Sequence, residues 1–186
     1  MSKQGHAIWM LSGILLSGCA SQYQAPVEVP KAELSVMATQ TPGNKTTRSV
    51  RILALADEKC RLDKNGMLVA REFVLGNPDT VETVPAKIPA AGAPFHFYAE
   101  YGDSRFAQNK GCTVQASFTP VAGRKYRGVI IIRGEVSACD FGLYDVTSGA
   151  EEPAAFEMPP SRCPGSGLAP VANGKATRTD WRMEFR

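Results

Sequence analysis

The chain has 186 residues, 44% hydrophobic and 21% charged, with 13 Pro, 17 Gly and a formal charge of +3. These proportions suit one globular domain with many turns and exclude collagen, coiled coil and wholesale disorder. The small net charge gives no concentrated basic face for a nucleic-acid partner.

The first element is a leader. Met1 to His6 is polar and carries Lys3, and Ala7 to Leu16 is an apolar run of ten residues. That order is the layout of a secretory signal. A helix crossing the hydrocarbon core needs about twenty apolar residues, so a transmembrane anchor is not expected. The run ends in Leu16-Ser17-Gly18-Cys19. This stretch resembles the lipobox of bacterial lipoproteins, with small residues beside the cysteine that let a peptidase reach the bond before it. The resemblance implies cleavage after residue 18, lipidation of Cys19, and a mature chain of 168 residues. It also implies the outer membrane as destination, facing the periplasm, since Ala20 and Ser21 stand where inner-membrane lipoproteins often carry Asp.

Residues 19–47 read as the lipidated N-terminus followed by a flexible tether, because Pro, Gln, Ser and Thr are spread without period; a short strand around Leu34–Met37 is the one exception considered. Residues 48–186 form the domain. Alternating apolar and polar residues predict strands at Ser49–Ala56, Met67–Leu75, Thr80–Val84, Phe95–Tyr101, Cys112–Thr119, Lys125–Gly134, Ala138–Val146 and Thr177–Phe185. Turn residues fall between them, as at Asp63-Lys64-Asn65-Gly66 and Pro120-Val121-Ala122-Gly123. The expected fold is all-β, an antiparallel β-sandwich of about seven or eight strands. Its interior would hold Phe95, Phe97, Val114, Phe118, Ile130, Ile132, Phe141, Leu143, Trp181, Met183 and Phe185. Gly128 to Gly134 is apolar on both faces and is placed centrally.

The segments "FTPVAGRKYRGVIII" and "ACDFGLYD" resemble a pattern of small Gram-negative envelope lipoproteins, which implies an immunoglobulin-like or transthyretin-like sandwich and carries no catalytic residue. A role like that of the anchored transthyretin-like subunit of type VI secretion systems is one form this takes.

Setting Cys19 aside leaves Cys60, Cys112, Cys139 and Cys163, an even number in an oxidising compartment. All four are expected in disulfides, paired Cys60–Cys112 and Cys139–Cys163. The close Cys-x₂₋₄-Cys pairs of a zinc site are missing. No metal or cofactor is expected.

His96 is the one histidine left after leader removal. Its spacing from Cys112 is similar to the His…Ser-x-Gly-Cys-x-Arg arrangement of L,D-transpeptidases, which would make Cys112 a nucleophile. Asn109 replaces the Ser, Val114 the Arg, and Phe97 the Gly after the histidine. In the strand reading, His96, Tyr98 and Glu100 share an outward face and form a candidate binding surface. Arg124, Lys125, Arg127 and Arg133, with Arg178, Arg182 and Arg186, make a basic cluster that reads mainly as a solvated face and secondarily as a contact for anionic glycolipid or peptidoglycan. The expected function is non-enzymatic: a membrane-anchored accessory or binding module with an envelope-protein partner. The alternative is an envelope enzyme or ligand-binding inhibitor acting on peptidoglycan or a periplasmic hydrolase.

Overall fold

Alternation becomes pleated strand along most of the chain in the computed structural model, which describes residues 21–40, 47–59, 61, 63, 66–76, 78–104, 109–133, 136 and 138–158. Ten strands are present among the described residues: β1 (Lys31–Gln40), β2 (Thr47–Leu55), β3 (Leu68–Val74), β4 (Thr80–Glu82), β5 (Ala86–Pro89), β6 (Phe95–Ser104), β7 (Asn109–Phe118), β8 (Lys125–Arg133), β9 (Ala138–Asp145) and β10 (Glu152–Pro153). One sheet runs β3-β2-β6-β7. The other runs β10-β9-β8-β1-β4, with β5 beside the first half of β1. Two stacked sheets of this kind are a β-sandwich, as alternation requires when one face of each strand must be buried.

The sandwich is not wholly antiparallel. β1 runs parallel to β8, from Glu33 opposite Lys125 to Gln40 opposite Ile132. The segment read as tether is therefore corrected, since residues 21–40 belong to the domain. Ser21 accepts backbone hydrogen bonds from Met67 and Leu68 at 2.9 and 3.0 Å, and Tyr23 donates to Leu68 at 2.8 Å. Ala32, Leu34, Val36 and Ala38 of β1 are all at 2% exposure or less. The cause is burial: β1 fills the gap between β8 and β4, and the sheet would divide without it.

The inward face is continuous from sheet to sheet. Phe97 is fully buried and meets Phe118 edge-on at 6.1 Å and Phe141 at 6.3 Å, so both sheets share one aromatic centre. Burying a side chain of this size contributes roughly 3 kcal/mol. Gly128 in β8 makes room for Phe141. A Cβ there would come within 2.9 Å of the Phe141 ring and 3.1 Å of Val36. All eight expected core residues within the described region are buried, from Phe95 to Leu143. Trp181, Met183, Phe185 and the strand Thr177–Phe185 lie outside the described residues. Central β8 is buried on its inner face, while Ile131 on the outer face is 45% exposed.

Cys112 of β7 and Cys139 of β9 are both fully buried and joined in a disulfide across the two sheets, with Cα atoms 6.5 Å apart. This corrects the expected pairings Cys60–Cys112 and Cys139–Cys163. Both residues do lie on the inward face, as the alternation predicts, and inward positions on strands in facing sheets are the ones that can meet through the core. Cys60, Cys163 and Cys19 lie outside the described residues.

Candidate functional site

His96, Tyr98 and Glu100 do share the outward face of β6, but they do not form an open surface. Tyr98, at 7% exposure, packs with Leu53 and Leu55 of β2, and Met67 and Leu68 close over this second, smaller apolar cluster. The connection between β2 and β3 folds back across this face: Ala54 donates to Met67 at 2.7 Å, and the Gln115 side chain donates to the Glu58 carbonyl at 3.0 Å. Burial, aided by the charge of Glu100, pushes the Tyr98 phenol up. Glu100 is 6% exposed and held in an ion pair by Arg51. His96 is half-buried, and its Nδ1 is shielded from solvent without a hydrogen-bond partner. Of the three, only His96 retains a partly open side chain.

The Cys112–His96 nucleophile is also overturned. Cys112 points inward and is bonded to Cys139, whereas His96 points outward and stands opposite Ser117 on β7. A disulfide sulfur offers no thiolate.

The outer face of the second sheet carries a shallow groove of about 270 Å³ lined by Glu33, Ser35, Glu82, Lys125, Arg127 and Glu151, among others. Arg127 organises it. Its Nε donates to Glu82 Oε1 at 2.9 Å, a guanidinium NH2 group donates to Glu151 Oε1 at 3.3 Å, and Ser35 Oγ donates to the same Glu82 oxygen at 3.0 Å. Burial works against the Arg127 charge, but Glu82 and then Glu151 outweigh it, so its pKa is raised. Arg124 is likewise held by Asp145 at 2.5 Å, and Arg133 pairs with Asp140. Three arginines of the basic cluster are therefore matched by carboxylates, and this face is a mosaic of both signs. Among the described residues, no group of three or more His, Cys, Asp or Glu side chains is placed to hold a metal ion.

At one end of the sandwich the core turns polar, a feature not anticipated from the sequence. Arg48, 1% exposed, donates to the Pro78 carbonyl and stands opposite Asp103, also 1% exposed. The Tyr101 hydroxyl donates to Gln40 Oε1 at 2.5 Å. The signal lies in the parity of β2: Arg48 shares its phase with Val50, Ile52 and Ala54, all fully buried. The described ends of β1, β3, β6 and β8 and the starts of β2, β4, β7 and β9 lie at this end. The N-terminal residues Ser21 to Tyr23 lie at the other, where Tyr23 packs edge-on against Phe95 at 6.0 Å.

Fold and site together define a two-sheet β-sandwich with an inter-sheet disulfide, a covered outer face on one sheet and a charge-paired face on the other. No protein-family model matches the chain, and no curated protein or solved structure matches it either.

Proposed function

We propose that this chain is a non-enzymatic lipoprotein of the Gram-negative envelope, anchored through Cys19 to the periplasmic face of the outer membrane, where its sandwich docks an envelope-protein partner. The observation that carries the reading is the lipobox-like Leu16-Ser17-Gly18-Cys19 after a short apolar leader. Two further features support it. An inter-sheet disulfide suits an oxidising compartment, and the chain is already bonded into the sandwich at Ser21, two residues after Cys19.

That second feature changes the geometry of the anchor. Two residues span about 7 Å, so acylated Cys19 would hold the sandwich flush against the bilayer rather than on a long leash. Acyl chains contribute about 0.8 kcal/mol per buried methylene, and several chains on one residue give lasting attachment. The end bearing Arg48 and the β3–β4 connection would then point away from the membrane. Connections on a rigid scaffold are where recognition is usually built.

Cross-linking in cells followed by mass spectrometry tests this, with Cys19→Ser as the mislocalised control. Capture of one envelope protein by the anchored form alone is the expected result. Equal capture by both forms, or none by either, would contradict it.

A further inference from the structure

At the end of the sandwich where Ser21 lies, three loops carry almost no charge. Residues 25–30 read APVEVP, 90–94 AAGAP and 120–123 PVAG, and Glu28 is the one charged residue in the three, against 21% charged over the whole chain. The fold gathers these loops. Ala90 donates its backbone N–H to the Pro30 carbonyl and Gly123 to the Lys31 carbonyl, both at 2.8 Å, so the second and third loops are bonded to the foot of the first. Their tips are open to solvent. Val27 is 83% exposed and Val121 53%, residues 91–94 and 122–123 are exposed, and a Cβ added at Gly92 or Gly123 would meet nothing within 4 Å. We infer that these three tips seat in the boundary between headgroups and acyl chains of a phospholipid bilayer, so that the sandwich grips the membrane through its own surface as well as through lipid on Cys19.

This seating rests on the anchor proposed above, and the path of the chain puts the bilayer on this patch. Gln22 pairs parallel with Leu68, the first residue of β3, so the chain enters in the direction that β3 runs and comes from beyond this end. Tyr23 then packs on Phe95, which directly follows the second tip. An acylated Cys19, two residues before Ser21, brings the bilayer within about 7 Å of the end that bears the tips.

The chemistry of the patch suits that neighbour. Val, Ala and Pro side chains have no polar group to desolvate, and attachment at a membrane interface grows with the apolar area buried. Lys31, whose Nζ reaches the Val27 carbonyl at 3.5 Å, and the exposed Lys125 stand just behind the tips, where their ammonium groups meet lipid phosphates. Other charges near this end are matched within the protein. Arg124, next after the third tip, is held by Asp145 at 2.5 Å, and Asp57 pairs with Arg61 at 2.6 Å on the β2–β3 connection, which Gln115 holds against the outer face of its sheet.

The test uses the full chain, extracted in detergent from cells that export it. It is reconstituted in vesicles of phosphatidylethanolamine and phosphatidylglycerol that contain a phospholipid with a diazirine near its acyl carbonyl, irradiated, digested and mapped by mass spectrometry. Label on the three tips, and none at Phe73 or Ile131, which are exposed apolar side chains on the outer faces of the sheets, is the expected result. The intact mass of the same sample reads acylation separately. An acylated chain without label on the tips would overturn the seating and leave the anchor standing, whereas labelled tips on an unacylated chain would support the seating and overturn the anchor. Neither label nor acylation would overturn both. In Val27→Asp/Val121→Asp, label on the tips should fall about ten-fold, as expected when two valine side chains no longer leave water. Both positions are exposed, so thermal melting should not change; undiminished label in this variant would also overturn the seating.

Discussion

Replacing the inter-sheet bridge with Cys112→Ala/Cys139→Ala should cost about 3.5 kcal/mol. The two cysteines are 27 residues apart in sequence, and for a loop of that length the chain-entropy relation gives an unfolded-state penalty of about 12 cal/mol/K, or about 3.5 kcal/mol at 25 °C. Because both positions are fully buried, the small voids left by the sulfurs push in the same direction. For a domain of this size, 1 kcal/mol corresponds to roughly 2–4 °C in Tm, so the double variant should melt about 10 °C below the wild type. Thermal unfolding followed by circular dichroism, without reductant, reads this. A drop of less than about 2 °C would refute the reasoning, because it would mean that the bridge neither constrains the unfolded chain nor fills the core.

Three further outcomes follow from particular contacts. Arg48→Ala should lower stability by about 3 kcal/mol in urea unfolding, since it empties a buried site, strips the Pro78 carbonyl of its donor and removes the cation opposite Asp103, and Arg48→Met should recover part of the loss. Gly128→Ala should cost about 1–3 kcal/mol by the same assay, because its Cβ displaces the Phe141 ring from the shared aromatic centre. Tyr23 is pushed up to about 12 by burial and then by the charge of Asp63. Its folded pKa exceeds its unfolded value near 10, so its contribution is intact below about pH 10 and is lost as pH rises toward 12. Titrating tyrosinate absorbance should show Tyr23→Phe lacking one phenol that ionises near pH 12 in the wild type.

Strands rich in large alternating side chains are legible in the sequence itself. "FHFYAEY" and "CTVQASF" announce their period and their inward residues without help. β1 is not, because its inward set is Ala32, Leu34, Val36 and Ala38, half of it alanine, and Met37 sits on the outer face. Flanking proline and glutamine then make a central strand look like a linker. Its value comes from the slot between β8 and β4, a tertiary fact that no local pattern encodes. The disulfide pairing is hidden for a related reason: sequence places Cys112 and Cys139 on inward faces, but only the stacking of β7 over β9 makes them neighbours. For His96, Tyr98 and Glu100 the sequence gives the right phase and the wrong exposure, since covering by the β2–β3 connection depends on long-range contacts such as Gln115 with Glu58.

Everything proposed about address and orientation depends on the chemistry of one residue. The most direct measurement is the intact mass of the full chain recovered from membranes, with the N-terminal peptide sequenced. The expected result is a chain beginning at Cys19, carrying a diacylglyceryl thioether and an N-acyl group, and in Cys19→Ser the loss of both together with release from the membrane. A chain that retains residues 1–18, or a Cys19 that alkylates as a free thiol, would contradict it.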